Sequence, residues 1–471
     1  MLDADAEAAP PPLPAPPPFR DGDDEINPAY VEAAAAAVAA GDAARVRALV
    51  EPLHEADLGA LLEALAPALR PRLIALLGTS FDFTALTEVD DAVREEILDE
   101  LEAGTLAEGV RDLDSDDAVY ILEDLDRDEQ ARILDRLPAA ERVALERSLE
   151  YPEDSAGRRM QTEFVAVPPF WETARIAAHL RAADDLPDTF HEVFVVDPAY
   201  HLVGAVPLHR LLRAGDAVTA EEIADRDVRR VRATDPAEEV ARLFQRYNLV
   251  SAAVVDEGGR LVGVMTVDDV VDVIEEEADA DIKALGGVSP AAELSDPVLR
   301  TVQSRFGWLF INLLTAFLAS SVLKGFEAEL EQMVALAVLA PVVASQGGNA
   351  GTQTMTVAVR ALATRSLGAW NVARVITREA LVGLLNGIGF AAITGGVAAA
   401  WFANPGLGVV IALAMVATLV AAALAGILIP LALDRAGADP AVSSGPFVTT
   451  VTDVVGFFAF LGIATLWFGL A

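Results

Sequence analysis

A single carboxylate, Asp453, lies in the apolar last segment of the chain, where an acidic side chain is unexpected. From Phe447 to the end, FVTTVTDVVGFFAFLGIATLWFGLA contains no other ionisable side chain. An acid at membrane depth costs about 3 kcal/mol on insertion scales and is usually functional, for example as a ligand of a passing cation. The alternative is a structural carboxylate that neighbouring hydroxyl groups hold by hydrogen bonds.

A second group of acids crowds the segment VDDVVDVIEEEADAD, which begins at Val267. On a helix, spacings of three and four residues would place on one face Asp268, Asp272, Glu275 and Asp279. Like charges at this spacing destabilise a helix by a few tenths of a kcal/mol per pair. A divalent cation would remove the repulsion, because carboxylates are its natural ligands. A solvated acidic face is the plainer explanation.

The charge of the 471-residue chain is unevenly distributed. The first 280 residues hold 25 basic and 62 acidic side chains, whereas the rest hold 9 and 10. This composition predicts an acidic, water-exposed half that attracts cations and repels nucleic acid, followed by a nearly neutral apolar half. The sequence contains no cysteine, which excludes disulfides and thiolate metal sites. All five histidines lie in the acidic half, so hard-cation chemistry is favoured in the apolar half.

The apolar half predicts an all-α membrane domain with five transmembrane helices. Long stretches with almost no charge lie at about residues 306–323, 332–359, 380–402, 407–433 and 447–470. Arg360, Arg365, Arg374 and Arg378 lie between the second and third spans, so the positive-inside rule puts the N-terminus in the cytoplasm and the C-terminus outside. We therefore expect a multi-pass protein of the cell (inner) membrane.

The acidic half divides into three parts. Residues 1–28 are proline-rich and acidic and predict a disordered tail. Residues 29–158 show short amphipathic patterns, which predict an acidic helical domain built as a superhelix of helix pairs. Residues 159–217 and 218–281 contain an internal repeat, because VVDPAYHLVGAVPLHRLL and VVDEGGRLVGVMTVDDVV align at an offset of 59 residues. We expect a connecting (plug) helix over residues 282–305 and the membrane domain over 306–471.

Each copy of the repeat reads as strand, turn, strand and helix, and the pair resembles α/β domains of the cystathionine-β-synthase (CBS) type. In the second copy, Thr266 and Asp269 are similar to the Thr-x-x-Asp that holds a nucleotide ribose in some CBS pairs. The first copy has Pro207 and Arg210 at the equivalent places. The resemblance therefore implies a nucleotide such as ATP as a candidate ligand of Thr266 and Asp269 in the second copy.

The whole chain after the tail resembles the MgtE family of magnesium channels. The motifs that carry the resemblance are YPEDSAGRRM at Tyr151, GGNAGTQ at Gly347 with RALATR at Arg360, and DPAVSSGPFVTTVTDVVG at Asp439. The resemblance implies a multidomain fold in one order: an all-α helical superhelix domain, an α/β CBS-domain pair, a connecting helix and five membrane helices. It also implies a homodimer in the lipid bilayer, with the pore on the symmetry axis and Mg²⁺ moving into the cell.

The resemblance further implies which residues bind metal and which line the pore. In the pore, the expected metal ligand is Asp453, with Asp439 as a cytoplasmic-side position. Pore-lining positions are expected at Gly348, Asn349, Gln353, Thr449 and Asp453. In the acidic domains the matching metal ligands are Asp117, Glu238, Asp269, Asp272, Glu277 and Asp281, to which the acidic helix adds Glu275 and Asp279.

These features lead us to expect a Mg²⁺-selective channel that closes when Mg²⁺ binds its acidic cytosolic domains. Two alternatives remain open at this level. The first is an exporter, or a transporter of another divalent cation such as Co²⁺ or Mn²⁺. The second, from a different class, is a membrane-anchored sensor of adenine nucleotides. An enzyme is not expected, since the chain shows no nucleophile–base motif, P-loop or metal-hydrolase spacing.

Overall fold

The structure is a computed structural model that describes residues 17–22, 25–183, 186–187, 189–292, 294, 296–368 and 370–470. It divides into two compact units, Met1–Glu276 and Glu277–Ala471. The first unit contains a helical domain followed by two small sheets, and the second contains the long apolar helices.

Short helices form the first domain of the first unit, and each buries one apolar face. Leu61, Leu62, Leu73 and Ile74 are fully buried at helical spacing, as the sequence pattern predicts. Several helices begin at a side chain that satisfies a free backbone N–H group, such as Asp42 and Asp126. The helices are α1 (Pro28–Ala40), α2 (Ala43–Val50), α3 (Glu55–Ala64), α4 (Arg70–Leu77), α5 (Asp91–Glu100), α6 (Ala103–Asp112), α7 (Ser115–Glu123), α8 (Arg127–Leu134) and α9 (Ala139–Leu149).

The expected disordered tail over residues 1–28 is corrected in part. Residues 1–16, 23 and 24 lie outside the described residues. The rest of the segment is ordered, because Phe19 packs edge-on against Tyr30 with ring centroids 5.2 Å apart. Arg20 also forms an ion pair of 2.8 Å with Asp57. The apolar ring of Phe19 anchors a segment whose composition alone predicts disorder.

Within the described residues, two three-stranded sheets follow the helical domain and confirm the internal repeat. In each sheet the first strand is parallel to the second, and the second is antiparallel to the third. The register pairs Val195 with Gly204 in one copy and Val254 with Gly263 in the other, so equivalent residues are 59 apart. The strands are β1 (Ala166–Val167), β2 (Glu192–Val196), β3 (Leu202–Pro207), β4 (Arg230–Arg232), β5 (Ser251–Val255) and β6 (Leu261–Thr266).

Helices cover these sheets and join the two copies. Glu192 and Ser251 occupy equivalent positions in the two copies and form a hydrogen bond of 2.9 Å. Phe194, Ala205 and Val264 help to form an apolar core shared by both sheets. The helices are α10 (Thr173–Ala182), α11 (Leu208–Leu211), α12 (Ala220–Ile223), α13 (Ala237–Tyr247) and α14 (Val267–Leu285).

In the described part of the chain, five helices are long and apolar enough to cross a membrane. They are α15 (Val298–Gly325), α17 (Val334–Ala363), α18 (Val372–Trp401), α19 (Pro405–Arg435) and α20 (Pro440–Phe468), with the short helix α16 (Glu327–Gln332) between the first two. The fold class expected from the sequence is confirmed. The glycine-rich stretch of the second span remains within α17, a continuous helix that also contains Pro341.

The single connecting helix expected over residues 282–305 is not observed. Residues 282–285 complete α14, the described residues between 286 and 297 are not helical, and residues 298–305 begin α15. Gly287 has φ +69°, and a Cβ atom there would lie 1.7 Å from Nε1 of Trp308. The chain therefore turns where only glycine fits, and Pro297 then caps α15.

Glycines let α17, α19 and α20 pack closely. A Cβ atom on Gly347 would lie 2.6 Å from Cγ2 of Thr418 in α19. A Cβ atom on Gly351 would lie 2.8 Å from Cγ1 of Val448 and 3.2 Å from Cγ2 of Thr452, both in α20. A larger side chain at either glycine would push the helices apart. These contacts therefore fix the position and rotation of α20 relative to α17.

Candidate metal sites

Asp453 lies on α20 and is only partly buried. The three hydroxyl groups that precede it on the helix do not hold it, because each donates to a helix carbonyl instead: Thr449 to Gly445, Thr450 to Pro446 and Thr452 to Thr449. The alternative of a carboxylate held by neighbouring hydroxyls therefore lacks support. Thr452 turns inward against α17, whereas Thr449 is exposed one turn before Asp453.

Polar side chains also line the exposed face of α17. Gly347 and Gly351 are buried against the neighbouring helices, whereas another face of α17 is exposed. The exposed polar residues, spaced by three, four and one along this face, are Ser345, Asn349, Thr352, Gln353 and Thr356. Of the expected pore-lining positions, Asn349, Gln353 and Thr449 are exposed, and Gly348 and Asp453 are partly buried.

Asp439 is exposed and forms the N-terminal cap of α20. One of its carboxylate oxygens, Oδ1, accepts a hydrogen bond of 2.8 Å from the backbone N–H of Ala441. The cap satisfies a free N–H group of the helix and leaves Oδ2 available for a cation. The two expected metal positions of the pore, Asp439 and Asp453, thus belong to one helix, at its N-cap and 14 residues further along.

In the first unit, the structure brings together acids from α7 and α14. Burial and the charge of Asp269 raise the pKa of Asp117 to about 7. Burial raises the pKa of Asp269 to about 6, although Thr266 opposes this shift by a hydrogen bond. Asp116 joins the pair, since burial and the charge of Asp269 raise its pKa as well. A cation beside this cluster would offset the mutual repulsion of its carboxylates.

Asp116 and Glu88, which were not predicted from the sequence, also belong to this acidic interface. Burial and the charge of Asp272 raise the pKa of Glu88, which precedes α5 in the helical domain. Asp116 could have been suspected because it adjoins Asp117 in the first turn of α7. Glu88 gives no such signal, because its neighbour Asp272 is remote in sequence.

The other expected sensor acids are not gathered into one site. Glu238 forms an ion pair with Arg242 on α13. Asp281 lies 3.6 Å from Arg360 of α17, within the second unit. Glu275, Glu277 and Asp279 are exposed on α14. Among the described residues no three acids or histidines converge as a ready-made metal site. The metal assignments of these residues stay predictions.

The end of α14 contacts the helices that carry the membrane polar groups. Ala284 is buried against Met355 and Val359 of α17 and against Ala441 and Val448 of α20. The same helix carries Asp269 and Asp272 in its first two turns. The helix α14 therefore carries Asp269 and Asp272 near its beginning, and its end contacts α17 and α20.

The expected ribose-binding residues contact each other. The hydroxyl group of Thr266 donates a hydrogen bond of 2.5 Å to Oδ2 of Asp269. A cleft between the two copies is lined by Thr266 and by the rings of Phe164, Phe190 and Phe194. It also contains the carboxylates of Glu163, Glu192 and Asp268. A nucleotide assignment for Thr266 and Asp269 stays a prediction.

Comparison with known proteins agrees with this architecture. Residues 340–463 match the family described as MgtE, divalent cation transporter; residues 53–154 match the MgtE intracellular N domain; and residues 220–276 match the CBS domain. The last of these covers the second copy of the repeat. The structure shows that the first copy has the same strand order.

Two relatives and one solved structure illustrate the similarity. The magnesium transporter MgtE of Thermus thermophilus is 36% identical over 432 residues, which are 90% of this chain and 96% of the relative. The magnesium transporter MgtE of Enterococcus faecalis is 36% identical over 328 residues, which are 69% of this chain and 71% of the relative. The cytosolic domain of the Mg²⁺ channel MgtE, solved in complex with ATP, has 33% identity and a TM-score of 0.48, covering 52% of this chain and 99% of that one. With its helical N domain, CBS pair and five membrane-length helices, this chain belongs to the MgtE family of magnesium transporters.

Proposed function

We propose that this chain forms a Mg²⁺-selective, Mg²⁺-gated channel that imports magnesium. The observation that carries the proposal is the polar exposed face of α17, together with the half-exposed carboxylate of Asp453 on α20. Amides, hydroxyls and an acid facing lipid would be costly in a membrane helix. They are favourable where they line a watery path, and a second copy of the chain would supply the other wall.

The chemistry of the polar face suits Mg²⁺. This ion dehydrates reluctantly and usually keeps several waters, so a path for it needs carboxylate charge and oxygen acceptors around a hydrated ion. Asp453, Asn349 and Gln353 supply such groups without imidazole or thiolate, which would favour transition metals. In a homodimer, two copies of Asp453 would place a charge of about −2 beside the axis.

Gating is proposed to act through α14. At high internal Mg²⁺, the cation bridges Asp116 and Asp117 of α7 to Asp269 of α14 and fixes α7 against α14. At low Mg²⁺ these carboxylates repel, and α14 is released to move. The end of α14 contacts Met355 and Val448, so its displacement would be transmitted to α17 and α20.

The direction of transport follows from the proposed orientation. Arg374 and Arg378 lie at the beginning of α18 and Arg360 near the end of α17, so these ends are placed in the cytoplasm by the positive-inside rule. With one span before α17, the acidic domain lies on the same side. Magnesium would enter down its electrochemical gradient, because the membrane potential attracts cations inward.

An adenine nucleotide is a second candidate ligand of the acidic domain. The cleft beside Thr266 offers three phenyl rings for a base. Its carboxylates would repel free phosphates, so a nucleotide would bind best as its Mg²⁺ complex.

Uptake of ions by the purified chain in proteoliposomes tests the proposed transport. We expect Mg²⁺ to enter down its gradient and Co²⁺ or Mn²⁺ to compete only at a concentration several-fold higher. Preferential transport of Co²⁺ or Mn²⁺, or movement only outward, would replace the proposal with one of the alternatives. Repeating the assay with ATP at constant free Mg²⁺ tests the nucleotide, and an unchanged Mg²⁺ response would remove it.

A further inference from the structure

Arg159 contacts groups of both helices at the acidic interface of the first unit. Its guanidinium carbon lies 5.1 Å from the ring centroid of Tyr120, a residue of α7. Its Nη2 atom lies 3.0 Å from Oε2 of Glu276, a residue of α14. The side chain is 24% exposed, so its contacts are partly shielded from water and salt.

The tyrosine that Arg159 contacts is held firmly in place. Arg94 lies on the same ring, 4.2 Å from its centroid, and is itself 1% exposed. Asp124 and Asp91 accept hydrogen bonds from the Arg94 guanidinium at 2.5 and 2.7 Å, so its charge is already balanced. Tyr120 is thus a fixed aromatic platform for the second guanidinium.

The interface between α7 and α14 has two electrostatically different ends. At one end Asp116, Asp117 and Asp269 meet, and the charges that raise the pKa of Asp117 are all carboxylates. At the other end the Arg159 guanidinium lies 3.0 Å from the carboxylate of Glu276 and beside the ring of Tyr120. This second end therefore carries a cation of its own.

We propose that Arg159 is a built-in cation that attracts α7 and α14 to each other and so lowers the Mg²⁺ concentration at which they close. The inference rests on the proposed function, in which closure of α7 on α14 regulates the channel. It assigns Mg²⁺ binding to the carboxylate end and makes Arg159 a residue that sets the Mg²⁺ concentration needed for closure. A planar guanidinium suits this role because it stacks on Tyr120 and donates to Glu276 at the same time.

Energy transfer between two labels on the full-length chain tests this inference. The natural sequence contains no cysteine, so Ser80→Cys in the helical domain and Ala199→Cys in the first CBS copy provide two exposed labelling sites. The labelled chain is diluted into unlabelled chain, and energy transfer is followed as Mg²⁺ is added. We expect Arg159→Gln to raise the midpoint about fivefold, and Arg159→Lys, which keeps the charge but not the stacking, about twofold.

Arg175→Gln is the matched control. Arg175 stacks on Trp171 at 4.2 Å within the first CBS copy, away from α7, and its loss should leave the midpoint unchanged. A wild-type midpoint for Arg159→Gln, or an equal shift for Arg175→Gln, overturns the inference and leaves the proposed gating intact. If wild-type energy transfer does not respond to Mg²⁺, the proposed gating fails and this inference fails with it.

Discussion

Asp453→Ala is expected to lower Mg²⁺ uptake in proteoliposomes by roughly 100-fold. Each carboxylate that accepts hydrogen bonds from a charged or polarised donor contributes about 1.5–3 kcal/mol. Two copies of Asp453 in a dimer would together contribute at least about 3 kcal/mol, and every 1.4 kcal/mol corresponds to a tenfold change. Asp453→Glu keeps the charge and should retain much more of the uptake than Asp453→Ala does.

Asp434→Asn serves as the control for this prediction. Asp434 is also an acid of the second unit, but it is exposed at the end of α19 and has no place in the proposed path. Its loss should change uptake by less than twofold. Uptake close to that of wild type for a folded Asp453→Ala protein would contradict the proposed path.

Removing the sensor charges should abolish most of the response to internal Mg²⁺. We expect the double variant Asp269→Asn with Asp272→Asn to reduce, by at least about fivefold, the ratio of flux at low to flux at high internal Mg²⁺. A ligand shifts a conformational equilibrium only by its differential affinity for the two states, and in the proposed gating these carboxylates would provide that difference. The amide oxygen of asparagine can still accept the hydrogen bonds that Asp269 receives from the backbone N–H and the hydroxyl group of Thr266, so α14 should begin normally.

A charge-matched double variant separates this effect from the general loss of acidity. Asp227→Asn with Glu257→Gln removes two exposed carboxylates of the acidic half that do not lie at the α7–α14 interface. Its Mg²⁺ response should equal that of wild type. An unchanged response in the Asp269 and Asp272 variant would place the Mg²⁺ sensor elsewhere.

Local pattern was enough to predict much of the architecture. The 59-residue repeat predicted two equivalent sheets, and the uncharged stretches predicted five membrane helices. Both follow from short-range rules, since strand alternation and helix length depend on neighbouring residues alone. Asp453 was recognisable because an acid stands out in an apolar segment.

Contacts between remote segments could not be predicted in the same way. Glu88 faces Asp272, and Tyr120 meets Arg159, because the helical domain packs on the CBS pair. Arg159 lies in the motif YPEDSAGRRM, but nothing in that motif indicates which ring or which acid it contacts. A single sequence without an alignment contains no information about such pairs.

Two expectations failed because of individual side chains. The connecting helix at 282–305 is interrupted at Gly287, where the Trp308 ring leaves no room for a Cβ atom. Part of the tail is ordered because the ring of Phe19 packs against Tyr30. The overall composition of the tail does not reveal the effect of one apolar residue. Tertiary contacts in both places override the local tendency of the chain.

The central claim is that Asp453 faces a watery path, and a single introduced thiol tests it most directly. Because the natural chain has no cysteine, Asp453→Cys carries one thiol, and only a thiol in contact with water forms the thiolate that reacts with a charged methanethiosulfonate reagent. Phe458→Cys, on the same helix with 63% exposure of the native ring, is the control for a lipid-facing position. We predict rapid modification at position 453 that Mg²⁺ slows, and little modification at position 458. Equal, slow reaction at both positions would contradict the account.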